Sequence, residues 1–174
     1  MAIIIKGITR CRICGSGDLS LPYIGTSGMA FPKGDELHPY CDALLHLDCL
    51  ARWPHRERFS RGYFDRRRDD PDRSNGVLLA ERRTWLLRCG PASPDAEPYF
   101  AEVLLIDWPM RLYSRWAQWD DYVAQGYGQR LSGEALMAAG QVMSEVRQVA
   151  PTLEVLGALR QQALTQPSPG GSER

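Results

Sequence analysis

Cys11-Arg12-Ile13-Cys14-Gly15 and, after an insert of 31 residues, His46-Leu47-Asp48-Cys49 are the stretches that decide how this chain folds. Two thiols three apart, followed by an imidazole and a thiol three apart, make a Cys3His set, the donor chemistry of a tetrahedral zinc site. Four protein ligands close the coordination sphere and leave no position at which a water could be activated, so the set points to structure rather than catalysis. In Cys-x-x-Cys-Gly the tight turn puts both sulfurs on one side, and Gly15 tolerates the positive φ such a turn tends to need. The competing reading, separate cysteines buried as small apolar residues, is weaker, because two correctly spaced pairs seldom coincide by chance.

Working outward, Ile3 to Ile8 reads as a short strand that delivers Cys11. Between the two ligand pairs, glycines and prolines punctuate the segment Leu19 to Tyr40, and short strands near Leu21–Ile24 and Met29–Phe31 are expected to pair as a hairpin. Asp42 suits the N-cap of a helix running to about Ala51 or Arg52, which would set His46 and Cys49 on one helical face. Cys41, five residues before His46, is the alternative ligand, and His38 and His55 are further imidazoles nearby. Trp53 before Pro54 disfavours helical geometry and ends that helix; Pro54 opens a second through Phe59 to Tyr63.

Knuckle, hairpin and helix in that order resemble the treble-clef zinc fold group, over residues 11–53 and at the level of fold alone. The resemblance implies that Cys11, Cys14, His46 and Cys49 occupy the group's ligand positions and hold one structural Zn2+. The group also contains the HNH nucleases. Here His38, beside Asp35 and Glu36, is the one feature in their direction, and the second His and the Asn of that motif are missing.

Beyond the module, Arg66 to Gly76 is a charged stretch without apolar residues and marks an internal boundary. Val77–Cys89 and Tyr99–Trp108 read as two strands of a further β-hairpin, stopped by Pro109. Leu112, Trp116, Trp119 and Val123 recur at helical spacing, and Gly126 and Gly128 break that helix. Ser132 caps a helix with Leu136, Ala139, Met143 and Val146 on one stripe, and Pro151 opens a last helix with Leu153, Leu156, Leu159 and Ala163 facing in. The expected fold class is therefore α+β: a treble-clef-like zinc module over residues 1–64, a charged loop over 65–76, a β-hairpin with helices over 77–165 and a disordered tail over 166–174.

The 174 residues carry 21 basic and 21 acidic groups, so no global charge draws the chain to nucleic acid or anionic lipid. No stretch is long and apolar enough to span a bilayer, and the first residues lack the form of a secretory signal. Clustered cysteines without an export signal suit metal binding in a reducing cytoplasm rather than disulfides. Three functions follow in order. The first is a non-catalytic zinc protein acting on another protein as an adaptor, inhibitor or immunity-type factor, with Trp116 and Trp119 as the aromatic contact pair. The second is a nucleic-acid binder using Arg52, Arg56, Arg66, Arg67 and Arg68. Eight arginines between residues 52 and 73 meet five acids, leaving about +3 in a stretch that also carries aromatic residues. An HNH-like nuclease is third. No small-molecule substrate is implied.

Overall fold

In the computed structural model, which describes residues 3–26, 30–69, 76–125 and 131–165, the insert is closed by strands from its two ends. β1 (Tyr23–Gly25) pairs antiparallel with β2 (Leu44–His46), Tyr23 opposite His46 and Gly25 opposite Leu44. The expected partner of β1, Met29–Phe31, does not form that hairpin: Met29 lies outside the described residues, and Phe31 packs in the core, stacked on Phe59 at 5.6 Å. Leu44 and Leu45 explain the preference, since strand pairing buries both almost completely. Thr26 holds the closure, its hydroxyl donating to Tyr40 O and accepting from Ala43 N–H.

Asp42 sits at φ 51, left-handed backbone that cannot open a helix, so the expected N-cap moves to His46. α1 (Leu47–Ala51) is correspondingly short, and His46 lies on β2 rather than one turn before Cys49 on a helix. Ile3–Ile8 forms a turn instead of a strand, with the Ile8 and Thr9 N–H groups donating to Ile5 O; Ile3, Ile5 and Ile8 stay exposed. Cys11 still reaches the sheet, through an isolated parallel bridge to Leu44.

α2 (Arg56–Arg68) continues past Tyr63, so Arg66, Arg67 and Arg68 are helical and not part of a loop. Phe59, Tyr63 and Phe64 bury one side of it, and cations in the last turn complement the helix dipole. Residues 70–75 of the charged stretch lie outside the described residues, as do Gly126, Gly128 and the tail 166–174.

Downstream, the structure has a four-stranded antiparallel sheet where one hairpin was expected: β3 (Val77–Glu81), β4 (Trp85–Gly90), β5 (Phe100–Leu105) and β6 (Arg111–Arg115), in chain order. The run Val77–Cys89 folds on itself at residues 82–84, and Pro109 ends β5's connection without ending the sheet. Leu112 belongs to β6, not to a helix. Its spacing to Trp116 fits both periods, and the burial of Leu112 and Ser114 between more exposed Arg111, Tyr113 and Arg115 shows the strand alternation. A 3-10 turn over Trp116–Gln118 leads to α3 (Trp119–Gln125).

One sheet face carries Trp85, Leu87, Ala101, Val103, Leu105 and Leu112 into the main core, which is continuous with Leu45, Leu47, Leu50 and Phe59 of the N-terminal part. α4 (Gly133–Val149) adds Ala135, Ala139, Val142, Met143 and Val146, and α5 (Leu153–Thr165) adds Leu156. Leu136, expected in that stripe, is exposed because Ala135 leads the buried face. Two buried indoles are anchored by hydrogen bonds: Trp85 Nε1 donates to Glu145 at 2.8 Å and Trp119 Nε1 to Ala150 O at 2.9 Å. On the other face Leu86 and Leu104 pack on Phe64 of α2.

Gly76 enters β3 at φ 97, and a Cβ there would run into the Cys89 carbonyl. Its own carbonyl accepts from buried Arg88 at 2.8 Å. Gly76→Ala is therefore expected to lower stability by about 2–4 kcal/mol in urea unfolding, from the left-handed φ together with the backbone clash.

Candidate metal centre

The four side chains of the Cys3His set come from three places. Cys11 and Cys14 lie on the knuckle, closed by Gly15 N–H donating to Cys11 O at 2.8 Å, with Gly15 at φ 74. His46 ends β2, and Cys49 is on α1. The knuckle is docked on β2 by Arg12 N–H donating to Leu44 O at 2.9 Å, and α1 on β1's approach by Leu47 N–H donating to Pro22 O at 2.9 Å. The result gathers one ligand atom from each of Cys11, Cys14, His46 and Cys49 within 4.8 Å of one another, an arrangement that can hold a single metal ion.

The fit to zinc can be tested on distances. Zn–S near 2.3 Å and Zn–N near 2.0–2.1 Å at tetrahedral angles require an S···N edge of about 3.6 Å. Cys14 Sγ and His46 Nδ1 are separated by 3.6 Å. Cys11 and His46 are each only 1% exposed, and His46 N–H donates to Cys11 Sγ at 3.3 Å. With Nδ1 turned to the sulfurs, the proton belongs on Nε2, which is buried and has no partner among the described residues. An orphaned donor costs on the order of 1–3 kcal/mol. Apparent zinc binding in finger peptides is about 10–16 kcal/mol, so metal binding would outweigh that cost severalfold.

The thiols are electrostatically unequal. Hydrogen bonding from the Ser16 backbone pulls exposed Cys14 down to about 7, with smaller help from Cys49, His46 and Cys11. Burial pushes Cys49 up to about 12, and the neighbouring Cys14 and Cys11 push the same way. Crowded sulfurs resist carrying negative charge together unless a cation sits among them.

The other sequence candidates fall elsewhere. Cys41 is half-buried and outside the gathered set. His38 lies on a 3-10 turn, Nδ1 donating to Phe31 O at 2.9 Å, and His55 is exposed, edge-on to Trp53. Cys89 is wholly buried in β4, and burial lifts it to about 12. Trp119 is core, and Trp116 is half-buried with part of its ring packed on that core.

Most of the arginines are engaged. Arg56 pairs with Glu134 at 3.0 Å and lies over Trp108. Arg58 pairs with Asp35 at 2.7 Å and with Glu36, and Arg68 with Asp65 and Asp69. Arg52 Nε donates to Asp48 O, and Arg67 lies over Tyr63; Arg66 is exposed. The sequence reading placed Tyr113 with Trp116 and Trp119 and did not join it to Tyr99 and Phe100, a group in which Tyr99 and Tyr113 are exposed. The alternation Arg111-Leu112-Tyr113-Ser114-Arg115 was the available signal.

No protein-family model, curated protein or solved structure matches the chain. Among the described residues no helix is long and apolar enough to cross a membrane.

A metal entering this set displaces the Cys49 proton throughout the range below its raised value, and the Cys14 proton as pH falls below about 7. Zinc affinity should therefore rise with pH, by at least about a hundredfold from pH 6 to pH 8 in chelator competition, since each displaced proton contributes tenfold per pH unit. A flat profile would contradict thiolate ligation.

Proposed function

We propose that this is a non-catalytic protein whose N-terminal part is a treble-clef-like module stapled by one structural zinc ion, and that it works by contact with another protein. The observation that carries the metal reading is the convergence of three thiols and one imidazole on one point, with a 3.6 Å S···N edge. Four protein ligands favour a closed structural site over a hydrolytic one. Knuckle, β1–β2 and α1 in sequence support the treble-clef likeness.

The protein-contact reading draws its support from the surface. Tyr99 and Tyr113 are exposed and flank half-buried Phe100, with ring centroids 5.0 and 5.6 Å from it. Exposed aromatics grouped in this way are the residue types that anchor interfaces. The nucleic-acid reading has less behind it. Arg56, Arg58 and Arg68 are tied to carboxylates, which lowers their availability to phosphates.

Elemental analysis of the purified protein tests the metal reading. One zinc per chain is expected in the native protein and in Cys41→Ser, and none in Cys49→Ser. Metal retained in Cys49→Ser, or lost in Cys41→Ser, would overturn the assigned ligand set. Cys14→Ser is expected to unfold residues 1–60, read as the loss of amide protection in β1, β2 and α1, because zinc binding of about 10–16 kcal/mol rivals a domain's whole net stability.

A further inference from the structure

Among the described residues β6 is the last strand of its sheet, with β5 on one side and no strand on the other. Trp116 N–H donates to Tyr99 O at 3.1 Å, which continues the Phe100–Arg115 register and makes Tyr99–Trp116 a bonded pair. The two-residue period of an antiparallel ladder then turns the backbone of Leu112 and Ser114 toward β5 and that of Arg111, Tyr113 and Arg115 outward. Of the outward carbonyls, Arg115 O accepts from its neighbour Ser114 Oγ at 2.9 Å. Beside this edge runs a cleft of about 510 Å³, lined by Tyr113, Ser114 and Arg115 on the strand and by Gln118, Asp121, Tyr122 and Gln125 around α3.

We propose that this cleft is a docking groove for an extended acidic segment of a partner protein, which joins the sheet as a fifth strand between β6 and α3. The proposal rests on the protein-contact reading and specifies its surface and partner. Strand addition supplies the main-chain bonds that an open edge lacks, and alternate side chains supply specificity. Arg111 and Arg115 share the outer face of β6 with Tyr113 between them. Arg111 already pairs with buried Glu102 at 3.2 Å, whereas Arg115 is exposed with no acidic partner among the described residues. Acids at alternate positions of an added strand would meet these cations, and the intervening side chains would face Tyr122 and Gln118. Asp121, the one acid of the lining, belongs to α3 and not to the strand.

Charge also argues against a second copy as the occupant. Pairing two β6 strands about a twofold axis at Tyr113 sets Arg111 opposite the partner's Arg115, and like charges directly opposite destabilise a sheet. The same arginines that discourage self-pairing select an acidic strand.

The test uses the full-length zinc-loaded protein and a fluorescein-labelled peptide alternating glutamate and valine, with the lysine–valine peptide as control. Fluorescence anisotropy should show saturable binding of the acidic peptide alone. Arg115→Glu, on an exposed side chain, should weaken it at least tenfold. Tyr113→Pro removes one outward N–H at an edge position where proline is tolerated, and should weaken it comparably. Hydrogen exchange at the Tyr113 and Arg115 amides should slow on binding. No saturation below ~1 mM, or affinity unchanged in Arg115→Glu, would overturn the proposal. Protection arising on another element would overturn the groove while leaving the protein-contact reading intact. Protection that grows with protein concentration without peptide would assign the edge to self-association instead. Zinc content is measured on each sample, so failure of the metal reading is seen separately.

Discussion

Convergence of Cys11 and Cys14 on His46 and Cys49 is the constraint on which the N-terminal third depends. The knuckle has little apolar surface of its own to bury: Ile3, Ile5 and Ile8 lie in solvent, and the turn is attached to β2 by the Cys11–Leu44 bridge with its Arg12 N–H to Leu44 O bond and by His46 N–H donating to Cys11 Sγ. His46 and Cys49, by contrast, stand beside Leu45, Leu47 and Leu50, all essentially inaccessible. A metal ion held across the two pairs would therefore fasten the knuckle to β2 and α1, whose leucines are part of the core. Because that core continues through the sheet to Leu156, such a staple would be coupled mechanically to the rest of the molecule.

The gathering of Cys11, Cys14, His46 and Cys49 was legible because metal-binding chemistry depends on residue type and spacing, both printed in the sequence. Its supporting geometry was not. The sequence suggested that His46 and Cys49 share a helical face, but positive φ at Asp42 delays the helix, and the pair is assembled at a strand–helix junction. The three-residue spacing survives that change, since the first turn after β2 brings Cys49 back beneath His46. Hairpin register was lost to the same cause: a long insert admits several partners for β1, and burial of Leu44 and Leu45 selects one that local signals do not rank.

In the second half, apolar content was read correctly and period was not. β4 is buried at all six positions, so it offers no alternation, and the break at residues 82–84 carries no glycine or proline to announce it. Leu112, Trp116, Trp119 and Val123 fit a helix by spacing, yet the first belongs to an edge strand and the third to a helix start. Helices α4 and α5, long and strongly periodic, were placed well by their apolar stripes. Misplacing β6 put Tyr113 on a helix with Trp116 and Trp119, whereas it stands on an edge strand beside Phe100.

The central claim is that one zinc ion is held by three sulfurs and one imidazole nitrogen. X-ray absorption at the zinc edge of the purified protein reads that shell directly. The account predicts three sulfurs at about 2.3 Å and one nitrogen at about 2.0–2.1 Å, with no oxygen ligand. Four sulfurs would bring Cys41 into the site, and a water oxygen in the shell would mark an open, reactive centre; either result would contradict it.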